Sequence, residues 1–211
     1  MPYQCDGEVV ETPWRLGLSL SGFRTTIDFG ATEIDLEEES VIATAGRQWG
    51  PRWGLTVGVG VILGGTASHR DATVGDTEVG AGGLLTVSGT WLAAYERPRR
   101  PFVSLSGTLS LSTAGAVSDD RDRHLLSAGD LRLGIMVGKT IAGRLVPLLA
   151  GRVFGGPVYW RLGGEAVTGT DSHHYAVGGG LIVRLPARLD LFTEVMALGE
   201  QSVSVGGTVS F

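Results

Sequence analysis

Several protein classes are excluded by what this sequence lacks. Cys5 is the only cysteine, so no disulfide bond can form within the chain. No apolar run approaches the roughly 18 residues of a transmembrane helix, because the longest one, residues 55–63, is interrupted by threonine and glycine. Proline is scarce, with 8 of 211 residues, and no Gly-X-Y period is present, which excludes a collagen. The net charge of −5 argues against a nucleic acid as the partner.

Glycine is abundant instead, with 34 of 211 residues. The usual share is about 7%. Gly, Val, Ser and Thr recur at every other position, which disfavours helix and favours strand. The clearest alternation is the last stretch, residues 201–211, which reads Q-S-V-S-V-G-G-T-V-S-F. Valines and the terminal Phe211 fall on one parity, and small polar residues on the other, as in a strand with one apolar face.

A closing strand that ends on an aromatic residue resembles the C-terminal strand of bacterial outer-membrane β-barrels. The resemblance is to this class in general and rests on the strand pattern and on Phe211. It implies that the C-terminal strand is an assembly signal for the barrel-assembly machinery. It also implies that the lipid bilayer and lipopolysaccharide surround the protein.

The same alternation predicts ten strands along the chain. They are expected over residues 13–25, 35–48, 53–64, 77–95, 101–113, 126–141, 144–154, 173–185, 188–197 and 201–211. Long connections (26–34, 65–76, 114–124, 155–172) alternate with short ones (49–52, 96–100, 142–143, 186–187). An even strand number with short turns on one rim and long loops on the other is typical of outer-membrane barrels. The connection 198–200 is an exception, because it is short where the alternation requires a long loop.

We therefore predict an all-β, antiparallel, up-and-down transmembrane β-barrel of about ten strands over residues 13–211, preceded by a tail over residues 1–12. The outward positions are apolar, while the opposite face is Ser, Thr and Gly with scattered charges. We expect that face to be too polar and too small for a dry core, which requires lipid outside the barrel. In strand 35–48, Val41 and Ala43 point to odd positions outward, but Ile34 and Leu36 point to even ones, so we expect a bulge between them.

Aromatic and acidic residues are predicted to separate by rim. An aromatic belt is expected at the short-turn rim, formed by Trp14, Trp49, Trp53, Trp91, Tyr95 and Phe211. Trp14, in the first strand, should lie beside Phe211 where the barrel closes. Acidic residues gather by the long loops, and those expected at the outer mouth are Glu33, Asp35, Glu37 and Glu39. An acidic mouth favours cations.

Charged residues on the inward parity form a candidate lumen network. Its members are Arg15, Asp130, Arg132, Arg152, Arg184, Asp190 and Glu194. Two interpretations stay open: a salt-bridge plug that satisfies buried charges, or a ring that selects small ions or solutes. Tyr159, Trp160 and Arg161 in the loop 155–172 form either an exposed recognition patch or a plug over the mouth.

Two further motifs carry weaker signals. Asp171, Ser172, His173 and His174 hold the residue types of a base-activated nucleophile, but consecutive residues of a strand do not face one another. We expect no enzyme, no cofactor and no metal site. The pattern favours a small passive pore in the bacterial outer membrane. The alternative is a structural or surface-interaction barrel with a plugged lumen, which binds lipopolysaccharide or a protein through its loops.

Overall fold

The alternating segments form antiparallel strands that close into a barrel, as predicted. The computed structural model describes residues 13–30, 32–69, 77–117, 123–162 and 165–211. The strands are β1 (Trp14–Asp28), β2 (Glu33–Trp49), β3 (Trp53–His69), β4 (Thr77–Ala94), β5 (Phe102–Val117), β6 (Arg123–Gly138), β7 (Leu145–Gly155), β8 (Val158–Leu162), β9 (Glu165–Asp171), β10 (Tyr175–Leu185), β11 (Leu189–Gly199) and β12 (Gln201–Ser210). A 3₁₀ turn at Pro186–Arg188 joins β10 to β11. Within the described ranges, no helix is long and apolar enough to cross a membrane.

Ten strands make the barrel wall, in the order β1 to β7 followed by β10, β11 and β12. β12 pairs with β1 over ten residues and closes the ring. At the seam, the Phe211 N–H donates to the Trp14 carbonyl at 3.1 Å, and the Trp14 N–H donates to the Phe211 carbonyl at 3.3 Å. The predicted neighbour pair at the closure is therefore confirmed. The tail, residues 1–12 with Cys5, lies outside the described residues.

The outer surface of the ten-stranded part is apolar. Aliphatic side chains project outward at alternate positions, and Val59 and Leu149 are 64% and 71% exposed. Aliphatic surface of this extent is stable only in contact with lipid, because water would penalise it. The predicted outward phase of these strands is confirmed.

The predicted loop 155–172 is wrong, because most of it forms the hairpin β8–β9. β8 continues β7 along β6 in the same register: Leu131 pairs with Gly155 and Ala128 with Val158. The sequence had suggested a loop because turn residues, Gly155, Gly156 and Pro157, interrupt the alternation there.

At the end of the barrel that carries the long connections, which we call the upper end, this hairpin reduces the number of strands in the wall from ten to eight. β11 and β12 end at the tight turn around Glu200, where β12 last pairs with β1 at Arg24. Above that level β9 takes the edge of β1, with Ile27 opposite Asp171. The upper ring is therefore β1 to β6, β8 and β9. The short connection 198–200 now has a reason: two strands stop early, and their neighbours join above them.

The outward-facing residues of β2 change from apolar to acidic at the level where the barrel narrows. Odd positions face outward along its whole length, and its register with β1 has no shift. Beyond Arg47 at the short-turn rim, the outward residues are apolar from Ala45 to Val41. Towards the long connections they are acidic from Glu39 onward, while Ile34 and Leu36 are buried inside. The bulge expected in β2 is wrong, because the shift lies in β3, where Leu63 is the extra residue. Lipid surrounds the lower part and water the upper part, so the apolar face reverses.

The lumen is more apolar than predicted. Near the short-turn rim, a buried layer of Leu92, Phe102 and Val146 fills it. A second group lies above on β7, β10 and β11, including Leu148, Phe154 and Met196. The expectation of an inward face of small polar residues with scattered charges is therefore wrong for β7, whose inward positions are mostly apolar.

On the other side of the lumen, glycines of β1 and β3 allow close contact with threonines of neighbouring strands. A Cβ at Gly17 would lie 2.6 Å from Thr44 Oγ1, and one at Gly58 would lie 2.5 Å from Thr86 Oγ1. These distances are too short for a side chain, so glycine is required for packing there. The lumen thus has a hydroxyl-rich wall on β1 to β5 and an apolar wall on β7 and β10.

Candidate functional site: a charged chamber in the lumen

A cavity of about 300 Å³ lies in the lumen, at the level where the barrel narrows from ten strands to eight. Small hydroxyl side chains, including Ser40, Thr86 and Ser112, form one side of it. Apolar residues of the upper ring, including Leu36 and Leu126, form its top. Its charged lining is Glu38, Asp130, Arg132, Arg152, Asp171 and Glu200. We call this cavity the chamber.

Arg132 on β6 is the central cation of the chamber. Its Nη1 and Nη2 donate to the two carboxylate oxygens of Glu200, at 2.6 and 2.8 Å. Its Nε also donates to Asp130, two residues away on the same strand. The guanidinium carbon lies 4.7 Å from the ring centroid of Phe154, within range of a cation–π contact. Bidentate pairing holds the guanidinium plane in one orientation.

Glu200 is a site residue that the sequence interpretation missed. It is 3% exposed and sits at the tip of the β11–β12 turn, which places its carboxylate inside the barrel. Its N–H donates to the Tyr175 carbonyl at 3.1 Å, so the backbone of the tip is held as well. The available signal was the unexpectedly short connection 198–200, which was assigned to the outer rim.

The other predicted lumen charges fall into two groups. Arg152 pairs with Glu194 on β11, beside the chamber. Three lie far below, by the short-turn rim: Arg184 is directly opposite Asp190, and Arg15 is opposite Ser210. The structure therefore brings Asp130, Arg132, Arg152 and Glu194 near one another, and leaves the other three at the opposite end of the barrel.

Two carboxyl groups of the chamber lack a cation partner within the described part of the chain. Glu38 is 8% exposed and forms no hydrogen bond or ion pair there; burial raises its pKa from the ordinary 4.5 to about 7. Asp171 accepts a hydrogen bond from Thr25 Oγ1 at 2.9 Å. Burial raises the pKa of Asp171, the hydrogen bond from Thr25 lowers it, and the negative charge of Glu200 raises it further. The sequence interpretation did not single out Glu38.

An apolar roof covers the chamber on the side of the long connections. It is formed by Ile27, Ile34, Leu36, Ile62, Ala67, Val79, Ala114, Leu126, Val158 and Trp160. Trp160 is 4% exposed, whereas Tyr159 beside it is exposed on the outside. Of the two predicted alternatives, the position of Trp160 matches a plug over the mouth and that of Tyr159 matches an exposed patch, because alternate residues of β8 face opposite sides. The side chain of Arg161 lies outside the described residues.

The remaining predicted sites lie on the two rims. On the upper outside, Arg24 pairs with Asp35 at 3.7 Å and Glu37 at 3.3 Å. Glu33 and Glu39 project outward from the same strand. The acidic residues at 119, 120 and 122 lie outside the described residues.

The short-turn rim carries aromatic rings together with arginines. Trp53 and Trp91 stack with centroids 5.9 Å apart, and Arg47 lies over Trp14 at 5.1 Å and over Trp49 at 5.7 Å. On the same rim, Arg52 lies over Tyr95 at 5.0 Å. Phe211 is also exposed outward at this rim. Aromatic rings with cationic neighbours suit the interface between acyl chains and headgroups.

The side chains of Asp171 and His173 contact different parts of the protein, so they do not face one another. The Asp171 carboxylate faces the chamber and Thr25, while the His173 ring packs edge-on against Tyr175 at 6.3 Å. The Ser172 N–H donates to the Thr26 carbonyl, which joins this segment to β1. The pairs that the structure shows here are therefore Asp171 with Thr25 and His173 with Tyr175.

Comparison with known proteins identifies the fold. No family model matches the sequence, and no curated protein matches it. The structure is similar to the outer-membrane protease OmpT from Escherichia coli, with a TM-score of 0.59, 8% identity, and 97% of this chain and 98% of that one covered. It is also similar to the translocator domain of the autotransporter NalP from Neisseria meningitidis, with a TM-score of 0.54, 10% identity, and 96% and 90% covered.

A third similar structure is the outer membrane protein OprG from Pseudomonas aeruginosa, with a TM-score of 0.52, 7% identity, and 95% and 96% covered. These proteins differ in their described roles and share the barrel. Together with the apolar exterior, the likeness identifies this chain as an integral β-barrel of the bacterial outer membrane, as predicted.

Proposed function

We propose that this protein is a gated barrel for the passive permeation of small solutes. The observation that carries the proposal is the chamber. Barrels of this size are usually filled by side chains, and a barrel with a purely structural role has no need of a 300 Å³ space lined by charges and hydroxyl groups. In this proposal, solutes move along the hydroxyl-rich wall and through this space, past the apolar layer of Leu92, Phe102 and Val146 near the short-turn rim.

The upper gate in this proposal is the β8–β9 hairpin, which carries Trp160 into the roof. On one side it continues β7 beside β6. On the other side its ladder with β1 has two residue pairs, Ile27 with Asp171 and Asp28 with Thr170. For comparison, β1 and β2 pair over fifteen residues. Two further hydrogen bonds join the segment to β1, from Thr25 Oγ1 to Asp171 and from the Ser172 N–H to the Thr26 carbonyl. Since local opening occurs where few hydrogen bonds hold an element, we expect β9 to separate from β1 more readily than the wall strands separate from one another.

A cross-link tests the gate. In a background where Cys5 is replaced by serine, Asp28→Cys with Thr170→Cys joins β9 to β1. We expect the reduced protein to conduct in planar bilayers and the oxidised protein to fall to the baseline, with recovery after reduction. The matched control joins β1 to β2 through Leu18→Cys and Ala43→Cys, which are opposite one another in the wall and should not alter conductance. Equal conductance of the oxidised and reduced hairpin variant, or no conductance in any form, contradicts the proposal.

A second candidate function rests on the acidic outer face of β2. Glu33, Asp35, Glu37 and Glu39 project outward just above the apolar band. Carboxylates in this position suit divalent cations that bridge to lipopolysaccharide phosphates. Replacing Glu33, Glu37 and Glu39 by glutamine should reduce the magnesium-dependent retention of lipopolysaccharide by the purified barrel. Unchanged retention contradicts this candidate and leaves the gated barrel unaffected.

A further inference from the structure

The Glu38 carboxylate is buried in the chamber, and none of the described residues pairs with it. Its neighbours Glu37 and Glu39 project outward from the same strand, whereas Glu38 faces the lumen and is 8% exposed. No hydrogen bond or ion pair reaches it from the residues that the structure describes. A buried carboxylate left in this way destabilises a fold, and groups of this kind cluster at functional sites.

The cations of the chamber are already engaged. Arg152 pairs with Glu194, and Arg132 donates to both Asp130 and Glu200. Four carboxyl groups line the chamber against these two guanidinium groups. Glu38 and Asp171 are the two that form no ion pair with a described cation, although the positive charge of Arg132 lowers the pKa of Asp171. The empty space beside them is therefore electrostatically suited to a positive guest.

The surroundings favour an organic cation over a metal ion. No group of three potential metal-ligating side chains occurs among the described residues. The walls next to Glu38 instead include apolar side chains from four strands, such as Ile27, Leu36, Ile62 and Leu126. The chamber, at about 300 Å³, has roughly twice the volume of a protein cavity that takes up benzene. An ammonium group joined to an apolar body of about this size matches both features.

We infer that the chamber binds small organic cations with an apolar body, and that the Glu38 carboxylate is the counter-charge that selects them. The ammonium group donates hydrogen bonds to Glu38, and the apolar body contacts the roof.

The protonation of Glu38 supports this assignment. With a pKa of about 7, the empty site holds a carboxyl group that is partly neutral near neutral pH. A bound cation favours the ionised form, so binding releases a proton below that pKa, and affinity should rise between pH 6 and pH 8. The charged groups that face Glu38 across the chamber are Asp130, Arg132, Arg152, Asp171 and Glu200.

The inference deepens the proposed permeation function, since the binding site lies on the proposed route. The two can nevertheless fail separately. Binding is measured on the purified protein in detergent, with no transport. If the protein conducts but does not bind cations preferentially in detergent, the binding inference alone is overturned. If it binds cations preferentially but does not conduct, the permeation proposal alone is overturned.

The test compares 2-phenylethylamine with 2-phenylethanol, which have nearly the same shape and differ in charge. Calorimetric titration at pH 8 should show that the wild-type protein binds the amine at least about tenfold more tightly than the alcohol, a difference typical of a buried charge pair. Glu38→Gln should remove this preference. The matched control, Glu39→Gln, changes an exposed carboxylate on the same strand and should preserve it.

Three results overturn the inference: equal affinity of the wild-type protein for amine and alcohol, an equal loss in both glutamine variants, or no saturable binding of the amine. A second variant, Ser112→Phe, fills the chamber from β5 and keeps Glu38. It should abolish binding of both probes, and retained amine binding in this variant places the ligand elsewhere and overturns the inference. The shift between folded and heat-denatured bands on electrophoresis verifies folding of each variant.

Discussion

Arg132 and Glu200 form a bidentate ion pair across the lumen, between the wall strand β6 and the tip of the β11–β12 turn. The pair ties the two strands that end early to the opposite wall. It thereby holds the level at which the barrel narrows, and both of its residues line the chamber. The four predictions below concern this ion pair, the packing of the lumen wall, the buried Glu38 and the closure of the barrel.

The first prediction concerns the ion pair itself. Glu200→Gln should lower the free energy of unfolding by about 3–5 kcal/mol, because it leaves the Arg132 charge buried with less compensation. Unfolding by urea in detergent micelles measures the change. Arg24→Gln is the control, since the ion pairs of Arg24 are exposed and should contribute at most about 1 kcal/mol. Equal losses in the two variants would show that the buried pair has no special role.

The second prediction concerns the glycine–threonine contacts of the lumen wall. Gly17→Ala should destabilise the barrel by about 1–3 kcal/mol through overpacking, because its Cβ would lie 2.6 Å from Thr44 Oγ1 and 2.8 Å from Thr208 Cγ2. Adding Thr44→Ala, which removes the Oγ1 atom, and Thr208→Ser, which removes the Cγ2 atom, should restore part of the loss. Gly89→Ala is the control, because nothing lies within 4 Å of a Cβ at that position. The same loss at Gly89 would point to a general effect of glycine on strands.

The third prediction is the pH dependence that Glu38 imposes on stability. Its pKa is raised on folding from 4.5 to about 7, so the folded state binds the proton more tightly than the unfolded state. The contribution of the Glu38 carboxyl to stability is therefore fully present below about pH 4.5 and is lost as the pH rises to about 7. At pH 8, Glu38→Gln should be more stable than the wild-type protein by about 3 kcal/mol, because the pKa rises from 4.5 to about 7 and each pKa unit corresponds to about 1.36 kcal/mol. At pH 4 the two should be equal.

Urea unfolding at pH 4, 6 and 8 measures this difference. Glu39→Gln should show no such trend, because the Glu39 side chain is exposed. A constant difference between wild type and Glu38→Gln over this range would mean that the pKa of Glu38 is the same in the folded and unfolded states. A gain in stability on removal of a residue is expected where that residue serves binding.

The fourth prediction separates the assembly role of Phe211 from its structural role. The side chain is 55% exposed on the outside, while the backbone hydrogen bonds to Trp14 do not depend on it. Phe211→Ala should therefore fold in detergent with little loss of stability. In cells it should accumulate less in the outer membrane, because the assembly machinery is proposed to read this residue. Normal accumulation in cells contradicts that role. Leu149→Ala is a control that also removes an exposed outward side chain.

Much of the fold could be predicted because strand alternation is a local property. Each outward residue of β1, β3, β5 and β12 repeats with period two, and short turns such as Ala142–Gly143 are evident from their residues. Both of these turn residues have positive φ, as a tight hairpin requires. The reversal of faces in β2 was visible as a conflict between Val41 and Leu36. A local pattern could not show that the solvent changes there, because periodicity alone does not distinguish lipid from water.

The candidate site was only partly predictable, because its geometry depends on where strands end relative to one another. The strand alternation correctly placed four charged residues in the lumen near one another: Asp130, Arg132, Arg152 and Glu194. The same alternation also selected Arg15, Arg184 and Asp190, which lie at the other rim. Glu200 was missed because turn residues have no parity.

By itself, the sequence determined an antiparallel barrel with an apolar outward face, since the alternation recurs in ten segments and the turns between them alternate in length. Only the tertiary structure decided what the lumen holds. β9 joins β1 above the short β11–β12 hairpin, and that long-range pairing places Glu200 against Arg132 and Glu38 beside an empty space. The physical reason is that the outward face is set residue by residue through contact with lipid. The interior is set by contacts between residues that lie far apart along the chain.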